Sequence, residues 1–252
     1  DKVHASKHIR IIGKILFTSV GSYATFTTIR PYDVRGDGSL NIAFGIGIFL
    51  VGIAQGFLNT IAGGGSLLAL PMLTFMGMDI GVANATNRIG VLIQTLVGAA
   101  AFRKHNVLSF SVALPVAGAA MLGAVAGTML AVQIDKRALN IVIAVLISCM
   151  AVLLVYKPRM WEGDSTRTWP KWGVYLLFFA IGIYGGFIQA GVGFFLTWAL
   201  AVALGCDLIH GNAMKVVIVG AFTTVSLAIF IWKGLVVYSV GFVLAAGNAI
   251  GA

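Results

Sequence analysis

From Asn41 onward the sequence is a succession of apolar runs, most of them close to the length of a membrane crossing, and two are interrupted by glycine. A hydrocarbon core about 30 Å thick takes about 20 helical residues. The runs predict spans over about 41–62, 83–102, 108–132, 138–156, 173–192, 208–231 and 236–252, with short apolar pieces at 66–76 and 194–204. Only 10% of the residues are charged and the mean hydropathy is +0.98. Soluble domains carry about 25% charge, so a soluble fold is excluded. An outer-membrane barrel would instead show alternating segments of about ten residues. The expected class is an all-α integral membrane protein, multi-pass in the cytoplasmic membrane.

The first interruption organises the chain. The stretch Gly52–Arg88 begins as an apolar helix, breaks at Gly63-Gly64-Gly65 and resumes toward Gly77. It ends in the amide-rich cluster Asn84-Ala85-Thr86-Asn87 before Arg88. Each glycine costs about 1 kcal/mol relative to alanine in a helix interior. Broken backbone at membrane depth is tolerated only where protein buries it or where it lines a watery cavity. A broken apolar helix followed by polar side chains therefore points to a transporter's binding site.

The pattern occurs twice. GIAQGFLNT at Gly52–Thr60 is matched by GIYGGFIQA at Gly182–Ala190, and the triple glycine by Gly191-Val192-Gly193. Gly77-Met78-Asp79 and Asn84-Ala85 return 128 residues later as Gly205-Cys206-Asp207 and Asn212-Ala213. The expected architecture is a polytopic bundle of two repeated four-span halves, with broken or re-entrant helices at the glycine loops. Residues 39–156 form the first half, 157–172 a linker and 173–252 the second half. Residues 1–38 read as a basic N-terminal extension or a weak extra span. Half two ends inside an apolar run before an equivalent of the fourth span. A truncated C-terminus and a permuted order, with residues 6–30 in the eighth place, are both compatible with this. Arg103-Lys104-His105, the linker and Lys233 fall on one side if the halves are parallel, and Lys and Arg favour the cytoplasmic side.

A net charge of +9 does not indicate nucleic acid here, because most basic residues lie in the N-terminal segment and between the runs. Cys149 and Cys206 form no CxxC pair or disulfide framework, and the four histidines form no ligand set, so neither metal nor cofactor is expected. No paired acid and base, nucleophile elbow, P-loop or HExxH helix is present, so no catalytic residue is proposed.

Two basic residues begin apolar runs just after the Asn-Ala element, Arg88 in one half and Lys215 in the other. A cation at the bilayer centre costs at least about 2.5–3.5 kcal/mol, and a transported anion would be its partner. The alternative is that both snorkel to the membrane surface or pair with Asp79 and Asp207. Helices restarting after Gly65 and Gly193 present free N–H groups and a positive dipole end. The predicted anion site comprises Asn59, Thr60, Gly63, Gly64, Gly65, Asn84, Thr86, Asn87, Arg88, Gln189, Gly191, Gly193, Asn212 and Lys215. The same small and polar residues also serve as packing between spans. Asp79 and Asp207 are candidate proton carriers if buried, and coupling to H+ or Na+ is left open. The expected partners are a small anion and the lipid bilayer. Oligomeric state is not legible. An anion channel, or less readily a structural or enzymatic subunit, would share these features.

The glycine break, Pro71, Gly77 and Ala83-Asn84-Ala85-Thr86 together resemble the TauE/SafE family, the sulfite exporter or TSUP transporters. Phe102-Arg103-Lys104-His105-Asn106-Val107 is similar to that family's aromatic-basic turn, with Asn106 where glycine is common. The resemblance spans about residues 40–252. It departs at the N-terminal extension, at Met214 in place of the second Thr, at the lack of a second-half counterpart of Pro71, and at the missing last span. It implies a secondary transporter for sulfite, for sulfonates such as sulfoacetate or taurine, or for thiosulfate-like anions, and the duplicated broken helix with Arg88 and Lys215 suggests alternating access about a central site. Its sites would be the glycine loops and the polar cluster after each.

Overall fold

The computed structural model describes residues 42–105, 107–108, 110–156 and 169–252. The extension at 1–38 and most of the linker lie outside the described residues. These form nine α-helices: α1 (Ile42–Ile61), α2 (Ser66–Phe75), α3 (Ile80–Lys104), α4 (Phe110–Gln133), α5 (Lys136–Tyr156), α6 (Lys171–Phe187), α7 (Val192–Leu204), α8 (Leu208–Trp232) and α9 (Tyr238–Gly251). No strand occurs among them. By length and composition, Ile42–Ile61, Ser111–Gln133 and Leu208–Trp232 can each cross a membrane.

The predicted runs agree with these helices, with two informative differences. The long helix α3 starts at Ile80 rather than near residue 83, because the Asp79 side chain accepts from the Gly81 N–H and caps it. Helix α6 stops at Phe187 rather than near 192, because Ile188 is extended. The helices restart after Gly63 (φ 80°) and Gly191 (φ 75°), backbone conformations that only glycine adopts without strain.

The short helices double back rather than cross. Ser66 at the start of α2 bonds Gln55 in α1, while a Cβ on Gly47 would touch Met76 just past the end of α2. Helix α7 likewise returns along α6, with Tyr184 edge-on to Phe195 at 5.1 Å and its hydroxyl donating to the Ala190 carbonyl. Each glycine break is therefore the tip of a helical hairpin.

Small residues set the closest helix pairs. Cβ atoms added at Gly123 and Gly127 of α4 would strike Phe179 and Ile183 of α6, and Cβ atoms at Gly182 and Gly186 of α6 would strike Ala120 and Ala124. Gly52 and Gly56 of α1 meet Leu244, Gly247 and Asn248 of α9 in the same way. Residue numbers rise together in both pairs, so α4 runs parallel to α6 and α1 parallel to α9. Close backbone approach of this kind is how membrane helices pack without a hydrophobic drive between them.

The parallel relation expected of the halves is not what the helices adopt. Helices α3 and α8 lie side by side with Thr95 against Gly220, Gly98 against Val216 and Arg88 over Phe230. One numbering rises as the other falls, so these two helices are antiparallel. Arg103, Lys104 and the α6 start therefore lie at one end of the bundle, and Lys233 lies at the opposite end with the Asp135 turn. The charge-based sidedness fails because hydropathy cannot distinguish a short helix that crosses from one that returns.

Candidate functional site

The polar side chains of the long helix α3 point inward. Asn84, Thr86, Asn87, Arg88, Gln94 and Thr95 are all buried, which leaves its apolar residues to face outward or pack. Near mid-height of the bundle the two hairpin tips touch. A Cβ built on Gly63 would lie 2.5 Å from Gly193 Cα, and one on Gly193 would lie 2.3 Å from Gly63 Cα. Beside this contact is a cavity of about 30 Å³, lined by Asn59, Gly63, Ser66, Val91, Gln94, Thr95, Gln189, Val192, Gly193, Lys215, Val216 and Val219. That volume holds one or two waters.

Lys215 is the cation of this cavity. It is 3% exposed. Its Nζ donates to Asn212 Oδ1 at 2.7 Å and, at 3.4 Å, to the carbonyl of Asn59 in the last turn of α1. Arg88 does not line the cavity. It is fully buried, 5.0 Å over the Phe230 ring, and its Nη2 donates at 2.7 Å to the carbonyl of Gly186 in the last turn of α6. Its Nε and Nη1 find no partner among the described residues. Thus each long helix contributes one buried cation, and each cation sits on the carbonyl end of the other half's first helix. The last carbonyls of a helix lack intrahelical partners and carry partial negative charge. No carboxylate meets either cation among the described residues. Asp79, Asp135 and Asp207 are exposed.

The structure divides the predicted residues. Asn59, Gly63, Gln189, Gly193 and Lys215 line the cavity, and Asn212 holds Lys215. Thr60 accepts from Gln94 and donates to the Gly56 carbonyl. Gly65 donates its N–H to Asn59 Oδ1 at 2.7 Å, so that group is engaged rather than free for a ligand. Gly64 packs on the Phe194 ring, and Gly191 caps α7. Asn84 donates to the Phe187 carbonyl, and Thr86 accepts from the Val237 N–H, so both tie helix ends together away from the cavity. Asn87 belongs to a buried amide chain: Asn248 donates to Gln55, Gln55 to Asn87, and Asn87 to Ser66.

The expectation for Asp79 and Asp207 required burial, and neither is buried. Both are exposed caps of the long helices, Asp79 at α3 and Asp207 at α8. The backbone N–H of His210, then its ring, holds the Asp207 carboxyl below the usual carboxylate range. Sequence reasoning missed Gln55, Ser66, Gln94, Thr95 and Asn248. Gln94 and Thr95 were within reach of it, because they continue the α3 stripe of Asn84, Asn87 and Arg88 at helical spacing.

Paired hairpin tips that touch beside a small cavity bearing a buried cation are the arrangement expected of a membrane transporter's binding site. The family model described as Sulfite exporter TauE/SafE matches residues 48–252, and the chain belongs to that family. The chain is 27% identical over 208 residues to the probable membrane transporter protein YfcA of Escherichia coli K12, covering 81% of this chain and 77% of the relative. It is 28% identical over 210 residues to a probable membrane transporter protein of Haemophilus influenzae, covering 81% of each. A probable membrane transporter protein, ORF9, of a Sinorhizobium species is 25% identical over 211 residues, covering 81% and 79%. No solved structure matches the chain.

Proposed function

We propose that the chain is a secondary transporter that moves small sulfur-containing anions across the cytoplasmic membrane by alternating access, with the Lys215 cavity as its binding site. The observation that carries this reading is a buried ammonium, without a carboxylate partner among the described residues, facing a cavity where the two hairpin tips meet. An anion entering there supplies the missing countercharge. The family description, sulfite exporter, supports a sulfur oxyanion.

The antiparallel packing of α3 and α8 supports an inverted rather than a parallel repeat. In such folds the site lies near the midplane where the halves meet, and rocking one half against the other exposes it alternately to each side. A small cavity between two hairpin tips that touch favours a carrier over an open anion channel.

The test is flux of sulfite and of a short sulfonate in proteoliposomes, comparing the native chain with Lys215→Met and Lys215→Arg. The expected result is saturable flux that disappears in Lys215→Met and partly survives in Lys215→Arg, with both variants monodisperse. Undiminished flux in Lys215→Met would remove the site. Unsaturable, voltage-driven current would make the protein a channel.

A further inference from the structure

The cavity wall holds an unpartnered acceptor as well as a cation. The Gln189 side chain is 2% exposed and its amide Nε2 donates to Thr223 Oγ1 at 2.6 Å. That leaves Gln189 Oε1 buried with no partner among the described residues, on a side chain that lines the cavity. The other polar side chains of the wall are already engaged. Asn59 donates to Gln94 and accepts from the Gly65 N–H. Ser66 accepts from Gln55 and Asn87, and Thr95 donates to the Leu92 carbonyl. Lys215 has three N–H donors and two acceptors in reach, so one donor is open. Among these groups one Lys215 N–H and Gln189 Oε1 stand out for an occupant, a cationic donor and a buried acceptor without a partner among the described residues.

We infer that this site selects anions that also carry a hydrogen-bond donor: a singly protonated oxyanion, or a sulfonate bearing a hydroxyl or amine on its short chain. The inference rests on the anion-site reading above and narrows it. A fully deprotonated oxyanion has only lone pairs to offer. It would satisfy Lys215 but set an oxygen against Gln189 Oε1, which then stays buried and unpaired. A site built around a hydrogen bond discriminates strongly against an analogue that cannot make it, because the buried partner is left unsatisfied. A donor-bearing anion meets both groups at once, its charge toward Lys215 and its O–H or N–H toward Gln189.

The experiment compares hydroxymethanesulfonate with methanesulfonate, which share charge and head group and differ by one donor. Binding to the purified chain in nanodiscs is read by calorimetry. The expected result is a preference of at least about tenfold for hydroxymethanesulfonate. In Gln189→Met, close in size but without the acceptor, the two affinities converge on that of methanesulfonate. Thr223→Val provides a second variant should Gln189→Met fail to fold. It frees the Gln189 amide to turn its N–H toward the cavity, so the preference shrinks or reverses. Equal or tighter binding of methanesulfonate by the native chain overturns the inference and leaves the anion site standing. If neither sulfonate binds, and sulfite flux is also absent, the transporter reading itself has failed.

Discussion

The contact between Gly63 and Gly193 gives the most exacting test of the architecture. Alanine at Gly63 would suffer twice. Its φ of 80° is left-handed, which costs an L-residue about 1–2 kcal/mol. Its Cβ would also lie 2.5 Å from Gly193 Cα, with the carbonyl carbon at 2.6 Å. Those neighbours are backbone atoms that cannot rotate away, and overpacking of this kind costs about 1–3 kcal/mol. Gly63→Ala should therefore destabilise by about 2–5 kcal/mol. Gly193→Ala carries the clash, at 2.3 Å from Gly63 Cα, without the positive φ. It should cost about 1–3 kcal/mol. The double variant should show coupling of the kind that contacting residues give, with the second substitution adding less than its own single cost because the tips have already parted. Gly45→Ala and Gly118→Ala are the controls. Both glycines are helical and an added Cβ meets nothing within 4 Å, so alanine there should be neutral or stabilise by about 0.5–1 kcal/mol. Thermal unfolding in detergent, checked by denaturant titration, reads all five variants against the native chain. Additive effects in the double variant, or a Gly63→Ala protein as stable as Gly118→Ala, would show that the two tips do not meet.

Two further outcomes follow from the same contacts. Gln55→Leu keeps the volume but removes the donor to Asn87 Oδ1 and the acceptor for Asn248 Nδ2. It should destabilise by about 1–3 kcal/mol through buried groups left unpaired, as read by the unfolding midpoint, and a Gln55→Leu protein as stable as native would argue against the chain of amides. Asp207 caps α8 and its carboxyl is held below the ordinary range by the His210 backbone N–H and ring. The folded form binds this proton less readily than the unfolded chain, so the contribution is present above the usual carboxylate range and is lost as pH falls through the lowered value. Native and Asp207→Ala melting curves should therefore differ near neutral pH and converge in acid. A gap that persists below that range would mean the cap does not depend on the carboxylate.

Much of the local structure was legible because it depends on near neighbours in sequence. The matched glycines Gly77 and Gly205 both take positive φ, at 91° and 65°, and the aspartates two residues on both cap a long helix. These are consequences of residue type at fixed spacing. The relation between the halves was not legible in the same way. It depends on whether ten to thirteen apolar residues cross or return, and 15–20 Å of helix satisfies hydropathy either way. The amide chain was also hidden. Gln55 reads as one polar residue in an apolar run, and its partners Asn87 and Asn248 lie 32 and 193 residues away. What makes it polar-competent is a tertiary arrangement that no local pattern announces.

The two buried cations looked equivalent in sequence, and their surroundings separate them. Lys215 lines the cavity and its strongest partner is a neutral side-chain oxygen, Asn212 Oδ1. Arg88 is stacked on Phe230 and anchored to the Gly186 carbonyl, where Thr128 Oγ1 also lies 3.0 Å away. A ring face and the negative end of a helix are together a fixed counter-environment for a guanidinium. On the function proposed above, Lys215 faces the occupant, and Arg88, whose Nη2 holds the Gly186 carbonyl while its Nε and Nη1 have no partner among the described residues, acts as a joint between α3 and α6. Arg88→Gln can still donate to the Gly186 carbonyl, and it removes a costly buried charge while losing a dipole interaction worth up to about 2 kcal/mol. It should leave equilibrium anion affinity within about threefold of native, an energy difference under about 1 kcal/mol. If the halves rock as proposed, its effect should fall on flux, because Arg88 links α3 of one half to α6 of the other. Calorimetric affinity and proteoliposome flux measured on the same preparation separate the two roles. A loss of affinity in Arg88→Gln as deep as that of Lys215→Met would place both cations on the anion and collapse the distinction.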